Sequence, residues 1–263
     1  MEQARAHERS GAIAEAFTCY RAAAEAAGRN GEHAIEAEVL RRLAVLHHRR
    51  NEPEIAAELA ARSHLIAQEI GDRVLAGEAL NVLAGFAFER GEMDEARVRF
   101  QEALALGGTD PGLRGRIEQN LGILANVRGE HAEAAAHYRQ SLEGFELSGD
   151  LKGCAIAHHN LGMVCADRQR WEDADGHFRR SLEITRAVGD VHLEGLCLLN
   201  HSEVHVARQR YDEARTNAEQ ALAIFDRLGA RLDKADAYKV LGVVYRETGR
   251  FILAESRLQS VIE

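Results

Sequence analysis

Any chemistry in this chain should show first in how its histidines, cysteines and carboxylates are spaced. His201 and His205 stand one helical turn apart with Glu203 between them, a spacing that puts both imidazoles on one helix face and within reach of a single metal ion. Glu203, two residues from each, points to another face, and the string is not the HExxH order of a zinc protease. Both histidines also fall at interior positions of a repeating pattern, so packing is their expected role. His47-His48 and His158-His159 are adjacent pairs whose members lie on different faces, and neither makes a two-ligand site unaided. Cys19, Cys154, Cys165 and Cys197 form no CxxC pair, and Cys154 and Cys165, eleven residues along one helix, are about 16 Å apart and cannot bond. No GxxxxGK[ST], GxGxxG or GxSxG string occurs, and no nucleophile has a base at readable spacing. The expectation is a chain that is not an enzyme, with no catalytic residue, no metal site and no cofactor.

The elements that must position these residues come from a repeat. Within Asp150 to Gly189, small and apolar residues fall at Ala155, Leu161, Gly162 and Cys165, then at Trp171, Ala174, Phe178, Ser181 and Leu182. Steps of three and four place each set on one helical face. Asp167-Arg168-Gln169-Arg170 between them is too short and polar to be anything but a tight turn, so the helices return antiparallel. The small residue of the first helix recurs as Ala4, Ala44, Ala84, Gly122, Gly162, Ser202 and Gly242, and an alanine of the second helix as Ala16, Ala56, Ala96, Ala134, Ala174, Ala214 and Ala254. Seven matches in each column give seven repeats, approximately 1–31, 32–71, 72–109, 110–149, 150–189, 190–229 and 230–263.

A bulky column (Tyr20, Ala60, Phe100, Tyr138, Phe178, Ala218, Leu258) and a further small one (Ala23, Ser63, Ala103, Ser141, Ser181, Ala221, Val261) are read as inter-helix core. Turns inside hairpins are expected at Gly11, Asn51, Gly91, Gly129, Gln169, Gln209 and Gly249, and turns between hairpins at Gly31, Gly71, Gly149, Gly189 and Gly229. One junction, Gly107-Gly108-Thr109-Asp110-Pro111, is two residues short; it predicts a shortened helix, Asp110 as cap, Pro111 at the first helical position, and a candidate hinge.

Only 5% aromatic residues and two prolines suit an all-helical chain. A repeat array grows as one body, so a single domain over 1–263 is expected. With a net charge of −9 and no basic block, a polyanionic partner such as nucleic acid is disfavoured. The absence of a long apolar run or basic leader argues against a membrane and for a cytoplasmic location. Repeat one is short in its first helix, and the last residues, Leu258, Val261 and Ile262 before Glu263, have no following helix to cover them. The expectation is a fragment of a longer chain, or end-to-end self-association through the uncovered ends.

Leu161-Gly162, Ala174, Phe178 and Ser181 stand at offsets that resemble the tetratricopeptide repeat. The unit departs from the common pattern by lacking the closing proline and by being about six residues longer, a form similar to LGN-type adaptors, kinesin light chains and the bacterial MalT-like and Rap regulators. The resemblance implies an all-α, right-handed superhelical solenoid of about seven antiparallel helix pairs, whose first helices line a concave groove that binds a protein or peptide. It also implies a scaffold or, as the second reading, a sensory or regulatory module of a bacterial multidomain regulator.

On that resemblance the groove columns are Asn120, Asn160 and Asn200; Gln119, His159, Leu199 and Lys239; Ile123, Met163, Glu203 and Val243; with Asn126, Val206 and Arg246 behind. The asparagines are the sharpest feature, since an amide offers a donor and an acceptor together to an extended backbone. Arg41, Arg49 and Arg116 are candidates for an anionic ligand group.

Overall fold

Residues 1–259 are described by a computed structural model of the chain. Among them fourteen helices follow one another: α1 (Glu2–Arg9), α2 (Ile13–Asn30), α3 (His33–Arg49), α4 (Pro53–Glu69), α5 (Arg73–Glu89), α6 (Met93–Gly107), α7 (Pro111–Val127), α8 (His131–Ser148), α9 (Leu151–Asp167), α10 (Trp171–Val188), α11 (Val191–Ala207), α12 (Tyr211–Leu228), α13 (Arg231–Glu247) and α14 (Phe251–Gln259). The turns dictate this order. Every one of the twelve expected turn positions adopts a left-handed backbone, from Gln169 at φ 57° to Gly91 at φ 81°. There the N–H groups fold back onto the carbonyls the helix leaves unpaired: Gln169 N bonds Ala166 O at 2.8 Å and Arg170 N bonds Cys165 O at 2.8 Å. Asp72, Asp150 and Asp190 then open the next helix by accepting from its first N–H groups.

Two compact units result, Met1–Leu124 and the chain from Ala125 onward. In the first, helices pack on their sequence neighbours and α3 also touches α5. Its core is built on Tyr20, Leu46, Phe100, Leu113 and Ile117. In the second, α9 touches α11 and α11 touches α13, so first helices stand side by side, over a core of Phe145, Val164, Phe178, Phe225 and Leu241. All residues of the two seven-member small columns are buried. Gly162 is small because Phe178 lies against it: a Cβ there would sit 2.9 Å from the ring's Cε1, closer than carbon atoms approach. Ser63 in the first unit and Ser181 in the second donate from Oγ to the carbonyls of Ala37 and Ala155, at 2.7 and 2.8 Å, tying second helix to first.

The short junction behaves as its residues require. Helix α6 has 15 residues against 18 in α8, α10 and α12, and Asp110 accepts from Leu113 N at 2.7 Å with Pro111 opening α7. Two core expectations need correction. Leu258 is 46% exposed, since among the described residues no helix follows α14 to cover it, and Ala23 is only half-buried. Val261, Ile262 and Glu263, which carry the expectation about uncovered ends, lie outside the described residues. All four cysteines are free. No described helix is long and apolar enough to cross a membrane.

Candidate peptide-binding face

The side-by-side first helices of the second unit leave two adjoining clefts. One, of about 240 Å³, has Met163 and Ala166 of α9, Trp171 and Phe178 of α10, and Asn200 and Glu203 of α11 in its walls. Its neighbour, of about 330 Å³, lies between Glu203 and Val206 of α11 and Lys239, Val240 and Val243 of α13. Glu203 lines both. Its side chain reaches solvent, yet partial burial, reinforced by Asp236 and Asp167, raises its carboxyl above the usual carboxylate range. No ion-pair partner meets Glu203 among the described residues; the nearby ammonium of Lys239 is bonded to Asp236 at 2.7 Å. An apolar floor beneath an unneutralised carboxylate suits a side chain that is part hydrocarbon and part cation.

The asparagine column is partly engaged by the protein itself. Asn200 Nδ2 donates to His159 Nε2 at 2.8 Å, which leaves Asn200 Oδ1 as an acceptor beside the cleft. His159 is buried, and burial pushes its imidazole down to about 4, opposed by a bond with Asn160, so the ring is neutral at pH 7. Asn120, in the first unit, donates to Asn81 Oδ1 at 3.0 Å, and Asn126 lies 3.2 Å from His131 Nδ1. Gln119 is half-buried on α7. Leu199, expected in the groove, is 5% exposed and belongs to the core.

Of the remaining candidates, Arg116 is not a free cation. Its Nη2 and that of Arg41 hold the two oxygens of Glu78, at 2.9 and 2.8 Å. Arg49 is exposed at the end of α3, and Arg246 pairs with Glu247 at 2.8 Å, lining neither cleft. Trp171 and Asp167 line the first cleft but belong to none of the expected groove columns. Trp171, the chain's one tryptophan, opens the second helix of its hairpin and reads as core by periodicity; only its uniqueness could have drawn attention to it. The two histidines flanking Glu203 point away from both clefts, toward α10.

Side-by-side helical hairpins with an open face of this kind define an all-α helical-repeat protein. The chain belongs to the tetratricopeptide repeat family, whose model matches it over 75–147, 113–187, 153–227 and 195–263. Solved structures share the fold. BtubC (BKLC) from P. vanneervenii is 24% identical with a TM-score of 0.69, over 78% of this chain and 87% of that one. The Rap conjugation gene regulator of plasmid pLS20, in complex with the Phr* peptide, is 18% identical with a TM-score of 0.72, over 99% and 71%. A signal-transduction ATPase with a tetratricopeptide repeat sensor from Pyrococcus horikoshii is 15% identical with a TM-score of 0.77, over 98% and 42%. No curated protein sequence matches the chain.

Proposed function

We propose that the second unit binds an extended segment of a partner protein across α9, α11 and α13, and that the segment carries a basic side chain next to an apolar one. The observation that carries this reading is Glu203: one carboxylate shared by two adjoining clefts, kept without a cation and flanked by Asp167 and Asp236. Met163 and Trp171 receive the apolar group, Glu203 the cation, and the free oxygen of Asn200 a backbone N–H. The chain is then a binding scaffold and not an enzyme. The Rap regulator in complex with the Phr* peptide supports the reading of a peptide ligand, and the same face would serve as the input of a sensory or regulatory module.

The test is selection from a random dodecapeptide library on the purified chain, then calorimetry of the enriched peptides. Enriched sequences should pair Arg or Lys with an apolar residue, and Glu203→Gln should weaken them by about tenfold, the loss of a charge-assisted contact worth roughly 1.5 kcal/mol. Enrichment of acidic peptides, or equal binding by Glu203→Gln, would refute the reading.

A further inference from the structure

On the side of α11 turned away from the clefts, His201 and His205 meet a carboxylate that adjacency in sequence does not reveal. Asp175 on α10 places Oδ1 2.7 Å from His201 Nε2. The two imidazole centroids are 4.3 Å apart and inclined by 31°. One donor atom from each of the three residues lies within 4.8 Å of the others. We propose that Asp175, His201 and His205 form a binding site for a divalent transition-metal ion, with Zn²⁺ as the natural probe.

Three observations independent of the spacing support it. First, the cluster does not satisfy itself: His201 and His205 are 5% and 7% exposed, and the Nδ1 of each is buried with no hydrogen-bond partner. Buried imidazole nitrogens left without partners are rare in a settled core. Second, Arg179 Nη2 holds the other oxygen of Asp175 at 2.7 Å, the kind of outer contact that fixes a ligating carboxylate. Third, the histidines open on a cleft of about 480 Å³ bordered by Asp212 and Glu213, which gives an ion a path and a fourth position for water.

Two imidazoles and one carboxylate are the donor set of borderline divalent ions such as Zn²⁺, Co²⁺ and Ni²⁺ rather than Mg²⁺ or Ca²⁺. The ion would clip α10 to α11, joining two successive hairpins. Because α11 also carries Asn200 and Glu203, occupancy would stiffen the helix at the centre of the binding face.

Equilibrium dialysis of the chelator-treated chain against Zn²⁺ tests the site. One ion per chain is expected, weakened by about tenfold or more in His205→Gln and in Asp175→Asn, and unchanged in His192→Gln, a histidine on the same helix outside the cluster. Circular dichroism checks that each variant folds. Should either cluster variant fail to fold, Co²⁺ titration of the unmutated chain decides instead: visible d–d absorption of low-symmetry cobalt, saturating at one equivalent, supports the site. No uptake, uptake indifferent to both cluster variants, or the spectrum of hexaaquo cobalt alone would overturn it.

Discussion

The same columns of the repeat meet different fates in the two units. In the first, the inner columns carry charge that the unit neutralises internally: Arg42 bonds Glu38 and Glu8, each at 3.2 Å, Tyr20 donates to Glu8 at 2.7 Å, Arg5 also holds Glu38, and Glu78 joins Arg41 to Arg116. In the second, α9 and α11 present His159, Asn160, Met163, Asn200 and Glu203 at those columns, and Glu203 is left without a cation while Lys239 of α13 pairs with Asp236. A face stitched by its own ion pairs has little left to offer a ligand. A face held by ring packing and amides keeps its polar capacity for something else. The difference teaches that repeat number sets the fold while column chemistry decides which part of the array can bind.

Ring packing should dominate the second unit, so Phe178→Ala is the largest expected effect. Phe178 is fully buried against Gly162 and lies between His159 and His201, with centroids 5.8 and 5.7 Å away. Its loss should cost ~3–5 kcal/mol in urea unfolding followed by near-ultraviolet signals of Trp171. A cost below about 1 kcal/mol would mean that the ring is not the keystone of that unit.

Acid should separate the units next. His158 and His159 are each pushed down to about 4 by burial, with His177 and Arg180 adding to the effect on His158. Unfolded imidazoles titrate near 6.5, so the stability these two give is fully present above that pH and is lost as pH falls toward 4, by up to ~3 kcal/mol for the buried His159 and by less for the partly exposed His158, whose charge water screens. In the first unit, burial works to raise Glu38, but the bonds from Arg5 and Arg42 outweigh it and hold the carboxyl below its usual range. The stability from that depressed group is present above about 4.5 and lost only as pH falls further. Hydrogen exchange at pH 5 should therefore show α9 and α10 opening before α1 to α3. The reverse order would break the comparison.

One substitution made in both units should have opposite signs. Glu78→Gln strands two guanidinium groups, one of them the largely buried Arg41, and should lower stability by ~1–3 kcal/mol. Glu203→Gln removes a carboxylate whose ionised form burial and two acidic neighbours disfavour, so the melting temperature should rise slightly even as ligand binding weakens. Equal signs in thermal melts would show that Glu203 is no less satisfied than Glu78.

How much of this the sequence held depends on range. The turns were legible because a left-handed backbone selects among few residue types, and the small columns because a residue under a ring cannot grow. Asp175 meeting His201 was not legible, since it depends on how two hairpins register across 26 residues. Glu78 closing on both Arg41 and Arg116 is hidden for the same reason, with its partners 37 and 38 residues away. That Leu199 is buried and Glu203, four residues on, exposed depends on the packing of α11 against the helices around it, which no local preference reports.

The smallest effects lie in the turns and again separate the units. Asn51 in the first and Gln169 and Gln209 in the second occupy the left-handed position at φ 61°, 57° and 59°, where the other turns have glycine. In this region the Cβ of any non-glycine residue crowds the following carbonyl; asparagine offsets that by local hydrogen bonding from its short side chain, whereas the longer glutamine does not. All three are exposed, and the bonds that close these turns are main-chain bonds that glycine keeps. Gln169→Gly and Gln209→Gly should each stabilise by about 0.5–1 kcal/mol, the relief of strain exceeding the entropy that glycine adds to the unfolded chain. Asn51→Gly should gain no more than roughly a few tenths. If Asn51→Gly stabilised as much as the glutamine replacements in denaturant melts, the strain would belong to the backbone geometry and not to the side chain that occupies it.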